Sequence, residues 1–291
     1  MSTYSIKDLE HLSGVKAHTL RIWEQRYNLF KPQRSETNIR SYSGEDLKLL
    51  LNVTLLKENG YKISHIAKMP HQLIMAEVAQ ISERNLKKDD QIAALTVAML
   101  DLDELRFEKV ISANILKRGL EQTMINVVFP FLERIGVLWM TGSIVPGQEH
   151  FISNLIRQKI IAAIDGQFIK YDPSATKFIL YLPEGELHEM SLLFADYLIR
   201  SRGKRSIYLG QAVPLEDIKT VCAIHQPDYV LTIITSSPGG DDLAPYLTKL
   251  CNIIPDVKIL ASGHQVVNAA GNVPSNVQVL QRTDSLLNLI E

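Results

Sequence analysis

The chain has 291 residues, 46% hydrophobic and 22% charged, so it is too long for one compact core and too apolar to be disordered. Its 31 Lys and Arg nearly balance 32 Asp and Glu, which excludes a uniformly basic protein that binds nucleic acid through bulk charge. Two cysteines without paired spacing, Cys222 and Cys251, exclude a disulfide-stapled secreted domain and favour a reducing cytoplasm. No stretch approaches the roughly 18 to 20 apolar residues that a membrane span needs, and no signal peptide is evident. We expect two or three cytoplasmic globular domains.

Positive charge is concentrated in the first quarter of the chain. Residues 1–75 contain eleven Lys and Arg against seven Asp and Glu, a net charge of +4, which leaves −5 for the rest. Ser5 can cap a first helix, and Ser13-Gly14-Val15 supplies a tight turn before a second helix. This pattern predicts a winged helix-turn-helix over residues 1–72.

The second helix of this segment has one apolar and one polar face. Leu20 and Trp23, three residues apart, are predicted to face inward. The loop that follows carries two arginines and a tyrosine, which suit contact with DNA phosphates or the minor groove. We therefore predict that double-stranded DNA is contacted by His18, Thr19, Arg21, Arg26, Tyr27, Arg34, Arg40 and Tyr42.

Three motifs in this segment resemble a known family. Tyr4-Ser5-Ile6, Thr19 to Glu24 and the Arg40-x-Tyr42 pair match the opening of MerR-type transcription regulators over residues 4 to about 69. The resemblance implies a dimer whose second helix enters the major groove and whose wing lies on the DNA backbone. Metal-sensing members continue with a long coiled coil and a cysteine loop, whereas here a brief helix ends at Pro70 and no cysteine precedes Cys222. Thiolate metal sensing is not expected, and dimerisation and signal input are assigned to the C-terminal two-thirds.

Two further patterns follow the head, which is the winged helix-turn-helix segment of residues 1–72. Apolar residues at spacings of three and four predict a four- or five-helix bundle over residues 76–168. Five short apolar runs alternate with amphipathic segments over residues 175–291, which predicts a Rossmann-like, doubly wound parallel sheet. The expected fold class is therefore multidomain, α and α/β.

Two groups of residues beyond the head carry chemistry. Trp139 is followed after nine residues by Glu149-His150, which could close over a flat or ribose-bearing ligand, although a core tryptophan and a helix-capping pair is the simpler interpretation. His188 lies on the loop after the first strand, where ligands bind parallel sheets, with Glu186 placed to hold one ring nitrogen. Taken alone, His188 is more simply a surface residue.

The order of these features resembles the cobalamin-dependent, light-responsive repressors of the CarH and LitR type, over nearly the whole chain. The resemblance implies adenosylcobalamin as cofactor, with His188 as lower cobalt ligand, Glu186 behind it, and Trp139, Glu149 and His150 over the adenosyl group. By the same match, Thr232, Thr235, Ser262 and Gly263 are candidate cofactor contacts. It further implies a repressor that assembles with itself as a dimer or tetramer and releases operator DNA in light.

Several positions depart from that family's pattern. Ser191 stands in place of a glycine, Ile233 falls where a serine is expected, Ser262 replaces the first of two glycines, and Met140 replaces a histidine. These departures leave open an alternative, a MerR-type regulator whose cobalamin-like domain binds no cofactor and responds to a protein partner or another ligand. An enzyme such as a methyltransferase or mutase is not expected, because no catalytic barrel fits in the remaining length. The loop Thr235 to Gly240 lacks the spacing and lysine of a phosphate-binding loop and is predicted to be a plain turn.

Overall fold

The structure is a computed structural model that describes residues 3–34, 38, 40–84, 88–140, 144–168, 172–235, 242–269 and 273–291. It divides into two compact units, Met1–Ile156 and Arg157–Glu291. Within the described ranges, no helix has the length and apolar character to cross a membrane.

The first unit begins with a small head built from short elements. The predicted cap at Ser5 is present, and Ser43 caps a later helix in the same way. Each serine accepts the backbone N–H of an aspartate three residues on, and that aspartate accepts in return. Gly14 ends the first helix with φ 71°, which a residue with a side chain rarely adopts. The elements are β1 (Thr3–Tyr4), α1 (Ile6–Ser13), α2 (Ala17–Tyr27), β2 (Gln33–Arg34), β3 (Arg40–Ser43), α3 (Gly44–Glu58) and α4 (Ile63–Ile66).

The three strands form an antiparallel sheet in the order β1-β3-β2. β2 and β3 pair Gln33 with Ser41 and Arg34 with Arg40, and they make the predicted wing. β3 runs directly into α3, whose capping residue Ser43 is its last strand residue. The wing is therefore fixed to the start of α3.

Helix α3 is buried on nearly all sides, because its sequence is apolar around the whole helix rather than along one stripe. It packs against α1 and β3 of the head and also against α5 (His71–Arg84) and α6 (Lys88–Asp101) of the bundle. Polar contacts reinforce this packing: Lys48 forms an ion pair with Asp101, and Asn59 donates a hydrogen bond to buried Asp90 over 3.3 Å. Head and bundle share one core.

The bundle follows as the predicted series of helices. α7 is broken at Gly119, where φ 77° and ψ 165° are not helical, and it continues into a π-helical turn. The division between the two units falls within the last helix. The elements are α5 (His71–Arg84), α6 (Lys88–Asp101), α7 (Glu104–Thr123), the π-helical turn (Met124–Val128), α8 (Phe129–Met140) and α9 (Pro146–Asp165).

The second unit contains a five-stranded parallel sheet in the order β5-β4-β6-β7-β8, and the predicted fold class is confirmed. The five predicted apolar runs correspond to the five strands. The elements are β4 (Lys177–Pro183), α10 (Met190–Ser201), β5 (Arg205–Val213), α11 (Leu215–His225), β6 (Tyr229–Ile233), α12 (Leu243–Ile253), β7 (Lys258–Ser262), α13 (His264–Asn268), β8 (Val277–Val279) and α14 (Thr283–Ile290).

The strand order reverses direction between β4 and β6. From β4 the chain first moves outward to β5, and it then returns to the other side of β4 to form β6. In parallel sheets a crevice opens at such a point, outside the carboxyl ends of the two strands, and ligands bind there. The loop after β4 and the residues after β6 both border this position.

Candidate functional site

Helix α2 presents a polar face, and its inner face is buried as predicted. Leu20 and Trp23 are 1% and 4% exposed, which anchors the helix in the head. His18, Arg21 and Arg26 are exposed. Two other predicted DNA contacts on this helix, Thr19 and Tyr27, are half-buried, and the guanidinium of Arg26 lies 5.6 Å from the centre of the Tyr27 ring.

The arginines of the wing are held by a carboxylate of α2. Arg40 Nε donates to Glu24 Oε2 over 2.9 Å, and Arg34 Nη2 donates to Glu24 Oε1 over 3.2 Å. The Glu24 side chain is only 11% exposed, so its negative charge is stabilised by these two cations rather than by water. Glu24 thereby ties the wing to the helix that offers the polar face.

Tyr42 departs from the sequence prediction of a DNA contact. Its ring is 1% exposed and belongs to the core, because alternate residues of the short strand β3 face inward. Its hydroxyl donates to Glu24 Oε2 over 3.4 Å. Burial, followed by the nearby charge of Glu24, raises the pKa of Tyr42 to about 12. The arrangement gives Tyr42 a supporting role beneath the wing.

In the bundle, the predicted Glu149-His150 pair lies in the first turn of α9. Glu149 Oε1 accepts a hydrogen bond from Ser153 over 2.5 Å, and Glu149 Oε2 lies 2.8 Å from His150 Nδ1. The His150 side chain is 69% exposed. Gln148 holds this turn in place by donating to the carbonyl of Leu100 over 3.0 Å. The backbones of Trp139 and Met140 lie in α8, but their side chains are outside the described part of the structure.

In the second unit, Glu186 joins the loops that follow β4 and β6. These loops lie at the switch point, where the strand order of the sheet reverses. It is fully buried, whereas the side chain of His188, two residues later, is 73% exposed. Glu186 Oε1 lies 2.5 Å from His188 Nδ1, and Oε2 accepts the backbone N–H and hydroxyl of Thr235 over 2.6 and 2.7 Å. Thr235 is the second residue after β6, so these bonds connect the ends of β4 and β6.

The same contacts select one tautomer of His188. The Thr235 hydroxyl donates its hydrogen to Glu186, and its oxygen lies 2.8 Å from His188 Nδ1. An acceptor on each side of Nδ1 favours a proton there, which leaves a lone pair on Nε2. A carboxylate behind an imidazole is the arrangement that orients histidines as metal ligands.

Glu186 stays ionised despite its burial. Burial raises the pKa of a carboxyl, but the hydrogen bonds from the Thr235 hydroxyl, the Thr235 N–H and the His188 N–H outweigh it and lower the pKa of Glu186 to about 2. A permanent negative charge next to Nδ1 makes Nε2 more electron-donating.

The other predicted cofactor residues lie in two different settings. Thr232 lies inside β6, fully buried, beside Tyr181 of β4. Ser262 ends β7 and donates its hydroxyl to the carbonyl of Leu280 over 2.8 Å. Gly263 has φ 102°, and a Cβ atom there would approach the carbonyl oxygen of Ile234 to 2.3 Å, so only glycine fits between the ends of β6 and β7.

Three of the four positions that depart from the family pattern, Ser191, Ile233 and Ser262, belong to the second unit. Ser191 is exposed near the start of α10, and Ile233 is 8% exposed at the end of β6. Of the loop Thr235 to Gly240, expected to be a plain turn, residues 236–240 are outside the described part of the structure.

Of the carboxylates that hold these groups, the sequence singles out only Glu186. Glu24 appears only as part of a motif, and Glu189, the residue after His188, is not among the predicted site residues. In the structure Glu189 is bonded by Arg157 and Tyr208, which lie 32 and 19 residues away. The position of Glu189 next to the predicted ligand His188 is a sequence signal that could have marked it. Its hydrogen-bond partners could not be predicted, because they depend on the tertiary fold.

The donor set at His188 fits a metal that is already held by a macrocycle. Because the macrocycle would supply most of the ligands, a single protein imidazole could hold such a metal. His188 offers this: an exposed ring, a tautomer with a lone pair on Nε2, and a buried carboxylate behind Nδ1. The residues present therefore fit the cobalt of a cobalamin.

Comparison with known proteins finds one family model over the head and another over the bundle. Residues 4–73 match the family model of the MerR HTH family regulatory protein, and residues 91–163 match the model of the B12 binding domain. The chain is 28% identical over 259 residues to the HTH-type transcriptional repressor CarH of Myxococcus xanthus, covering 87% of this chain and 86% of that protein. It is 25% identical over 269 residues to the repressor CarA of the same organism, covering 90% and 86%.

A third relative is similar to the head alone. The HTH-type transcriptional regulator MlrA of Escherichia coli is 30% identical over 66 residues, which cover 23% of this chain and 27% of that protein. All three named relatives are transcriptional regulators. The chain therefore carries a MerR-type HTH domain over residues 4–73 and a B12 binding domain over residues 91–163, and it is similar to transcriptional repressors over most of its length.

Proposed function

We propose that this chain is a repressor that binds adenosylcobalamin through its bundle and its Rossmann-like unit, assembles with itself when the cofactor is bound, and releases its operator in light. The observation that carries the proposal is the Glu186–His188–Thr235 arrangement at the switch point of the sheet. The similarity to two repressors over most of the chain supports it.

On the DNA side, α2 is the element proposed to enter the major groove. Arg21 and Arg26 are exposed on it, and side chains of this type read base edges or contact phosphates. Arg34, 43% exposed, and Arg40, 20% exposed, are proposed to contact the DNA backbone from the wing. The net charge of +4 in residues 1–75 makes this binding depend on salt concentration.

On the cofactor side, His188 is proposed to hold the cobalt through Nε2, while Glu186 keeps the proton on Nδ1. Thr235 fixes Glu186 and so keeps the imidazole in one orientation. When bound, adenosylcobalamin supplies a cobalt–carbon bond that light can break. Glu149 and His150, with Trp139, are proposed to cover the adenosyl group, and the match of residues 91–163 to the B12 binding domain supports this.

Self-association is proposed to turn several weak heads into one strong binder. A single head contributes few cationic contacts, and the remaining chain carries a net charge of −5, which opposes binding to DNA. Tethering two or more heads in one assembly raises the effective concentration of each head near the operator, so the affinity of the assembly greatly exceeds that of one head.

A gel shift on the DNA upstream of the protein's own coding sequence tests the proposal. Four samples are compared: with and without adenosylcobalamin, each in darkness and after illumination. We expect a strong shift only with the cofactor in darkness. A shift of equal strength in all four samples would contradict cofactor control and favour a regulator that responds to a protein partner or another ligand. A cofactor-dependent shift that illumination does not reverse would contradict the light response alone.

A further inference from the structure

A second carboxylate, next to His188, is clamped from two sides. Arg157 Nε of α9 donates to Glu189 Oε2 over 2.7 Å, and the hydroxyl of Tyr208 in β5 donates to Glu189 Oε1 over 3.0 Å. The Glu189 side chain is 11% exposed. Glu189 directly precedes α10, but its side chain makes no capping bond to that helix. Its two described partners belong to other elements.

The backbone of the same loop is held by the same strand. Gln211 Nε2 of β5 donates to the carbonyl of Leu187 over 2.7 Å, and the N–H of Glu189 donates to that carbonyl over 2.8 Å. The residues before and after His188 are therefore both bonded to β5. Glu186 is bonded to Thr235 beyond β6, so the histidine is held between contacts from both neighbours of β4.

An irregularity of β5 makes this double contact possible. Residues three apart in a regular strand point to opposite faces of the sheet. Between Tyr208 and Gln211 stands Gly210 with φ 81°, and the pairing register of β4 with β5 shifts here. The irregular backbone lets Tyr208 and Gln211 reach the same loop.

We propose that Glu189 is a positioning residue, which, together with Arg157 and Tyr208, fixes the loop so that the His188 imidazole is presented to the cobalamin in one orientation. The inference rests on the proposed function, because it assigns the histidine to the cofactor. Glu189 is then a second positioning carboxylate beside Glu186. Glu186 contacts the His188 ring, whereas Glu189 fixes the backbone of the loop that carries it. Loss of the clamp leaves the ligand present but poorly oriented.

The test uses the full chain and three substitutions. Glu189→Gln keeps the shape and removes the charge, Tyr208→Phe removes one hydroxyl, and Glu216→Gln removes an exposed carboxylate of α11 as the control. Affinity for adenosylcobalamin is measured in darkness by absorption, which also reports whether a protein nitrogen ligates the cobalt. We expect Glu189→Gln to weaken binding about tenfold, the lower end of the range for outer-shell partners of a metal ligand, and to reduce the histidine-ligated fraction. We expect no change for Glu216→Gln.

A measurement without cofactor separates the two proposals. Ring relaxation of His188 is followed by NMR in chains with labelled histidine, assigned with His188→Gln. We expect an ordered ring in the unchanged protein and a mobile one in Glu189→Gln and Tyr208→Phe, at equal melting temperature. Equal ring order and equal affinity in Glu189→Gln would overturn the clamp. An unchanged protein that binds no cobalamin would overturn the proposed function, and ring order would still decide whether Glu189 positions His188.

Discussion

Glu186 and Thr235, 49 residues apart in the chain, are joined by two hydrogen bonds of 2.6 and 2.7 Å that connect the loops after β4 and β6. The two strands lie side by side at the switch point of the sheet. Because Glu186 also holds His188 Nδ1, the orientation of the exposed imidazole depends on a residue of the neighbouring strand's loop.

The substitution Thr235→Val tests this dependence. Valine keeps the shape and the backbone N–H but removes the hydroxyl that contacts both Glu186 and His188. We expect affinity for adenosylcobalamin to fall about tenfold, as for other outer-shell partners of a metal ligand. Isothermal titration in darkness measures it. Thr220→Val, which removes a hydroxyl from α11, is the control, and equal affinities for the two variants would contradict the assigned role.

Glu24 is expected to help DNA binding although it carries a negative charge. Glu24→Gln removes the charge that holds Arg34 and Arg40, so the wing loses its fixed position. We expect operator affinity to fall about tenfold, equivalent to one charge-assisted hydrogen bond of about 1.5 kcal/mol. Fluorescence anisotropy with labelled operator measures it.

Glu45→Gln is the matched control for this prediction. It removes the same charge from the same segment at a side chain that is 78% exposed. If long-range repulsion were the main effect of Glu24, both substitutions would tighten binding. Tighter binding by Glu24→Gln therefore rules out the positioning role.

Gly263 is expected to tolerate no side chain. A Cβ atom would lie 2.3 Å from the carbonyl oxygen of Ile234, and φ 102° is unfavourable for any other residue. We expect Gly263→Ala to destabilise the second unit by about 3 kcal/mol or more, from backbone strain and the clash together. Gly136→Ala, at a helical position with open space, is expected to be neutral or stabilising. Urea denaturation measures both, and equal midpoints would be inconsistent with the close approach.

Tyr42 is expected to give the head a dependence on alkaline pH. Its pKa is about 12 in the folded protein against 10.0 for the free side chain, so folding favours the neutral phenol. The resulting stability is complete below pH 10 and is lost as the pH rises towards 12. Ultraviolet absorption of phenolate across this range, in the unchanged protein and in Tyr42→Phe, detects the late titration. Ionisation of Tyr42 near pH 10 without unfolding would contradict its burial beneath the wing.

Much of the fold follows from local sequence signals. The capping boxes at Ser5 and Ser43 and the αL glycine at Gly14 are encoded within four residues each, and the five strands are encoded as apolar runs. The burial of α3 was also encoded, since its apolar residues surround the helix. The packing of α3 against both head and bundle could not be predicted from the sequence, because the elements that contact a helix depend on the tertiary fold.

The candidate site was less completely predictable. The order of the motifs along the chain indicated Glu186 and His188. The sequence around Ile233 did not show that the Thr235 hydroxyl would donate to Glu186. The register of β4 with β6 in the sheet decides that contact. Tyr42 was expected to contact DNA because arginine and tyrosine alternate in the wing, and the inward face of β3 buries it instead.

The most direct test of the account is the absorption spectrum of the purified protein mixed with adenosylcobalamin in darkness, compared with His188→Ala and with His225→Ala, an exposed histidine of α11. We predict that the unchanged protein and His225→Ala bind the cofactor with a histidine ligand to cobalt, and that His188→Ala loses this signature. Identical spectra for the unchanged protein and His188→Ala would contradict the assignment of His188 as the cobalt ligand.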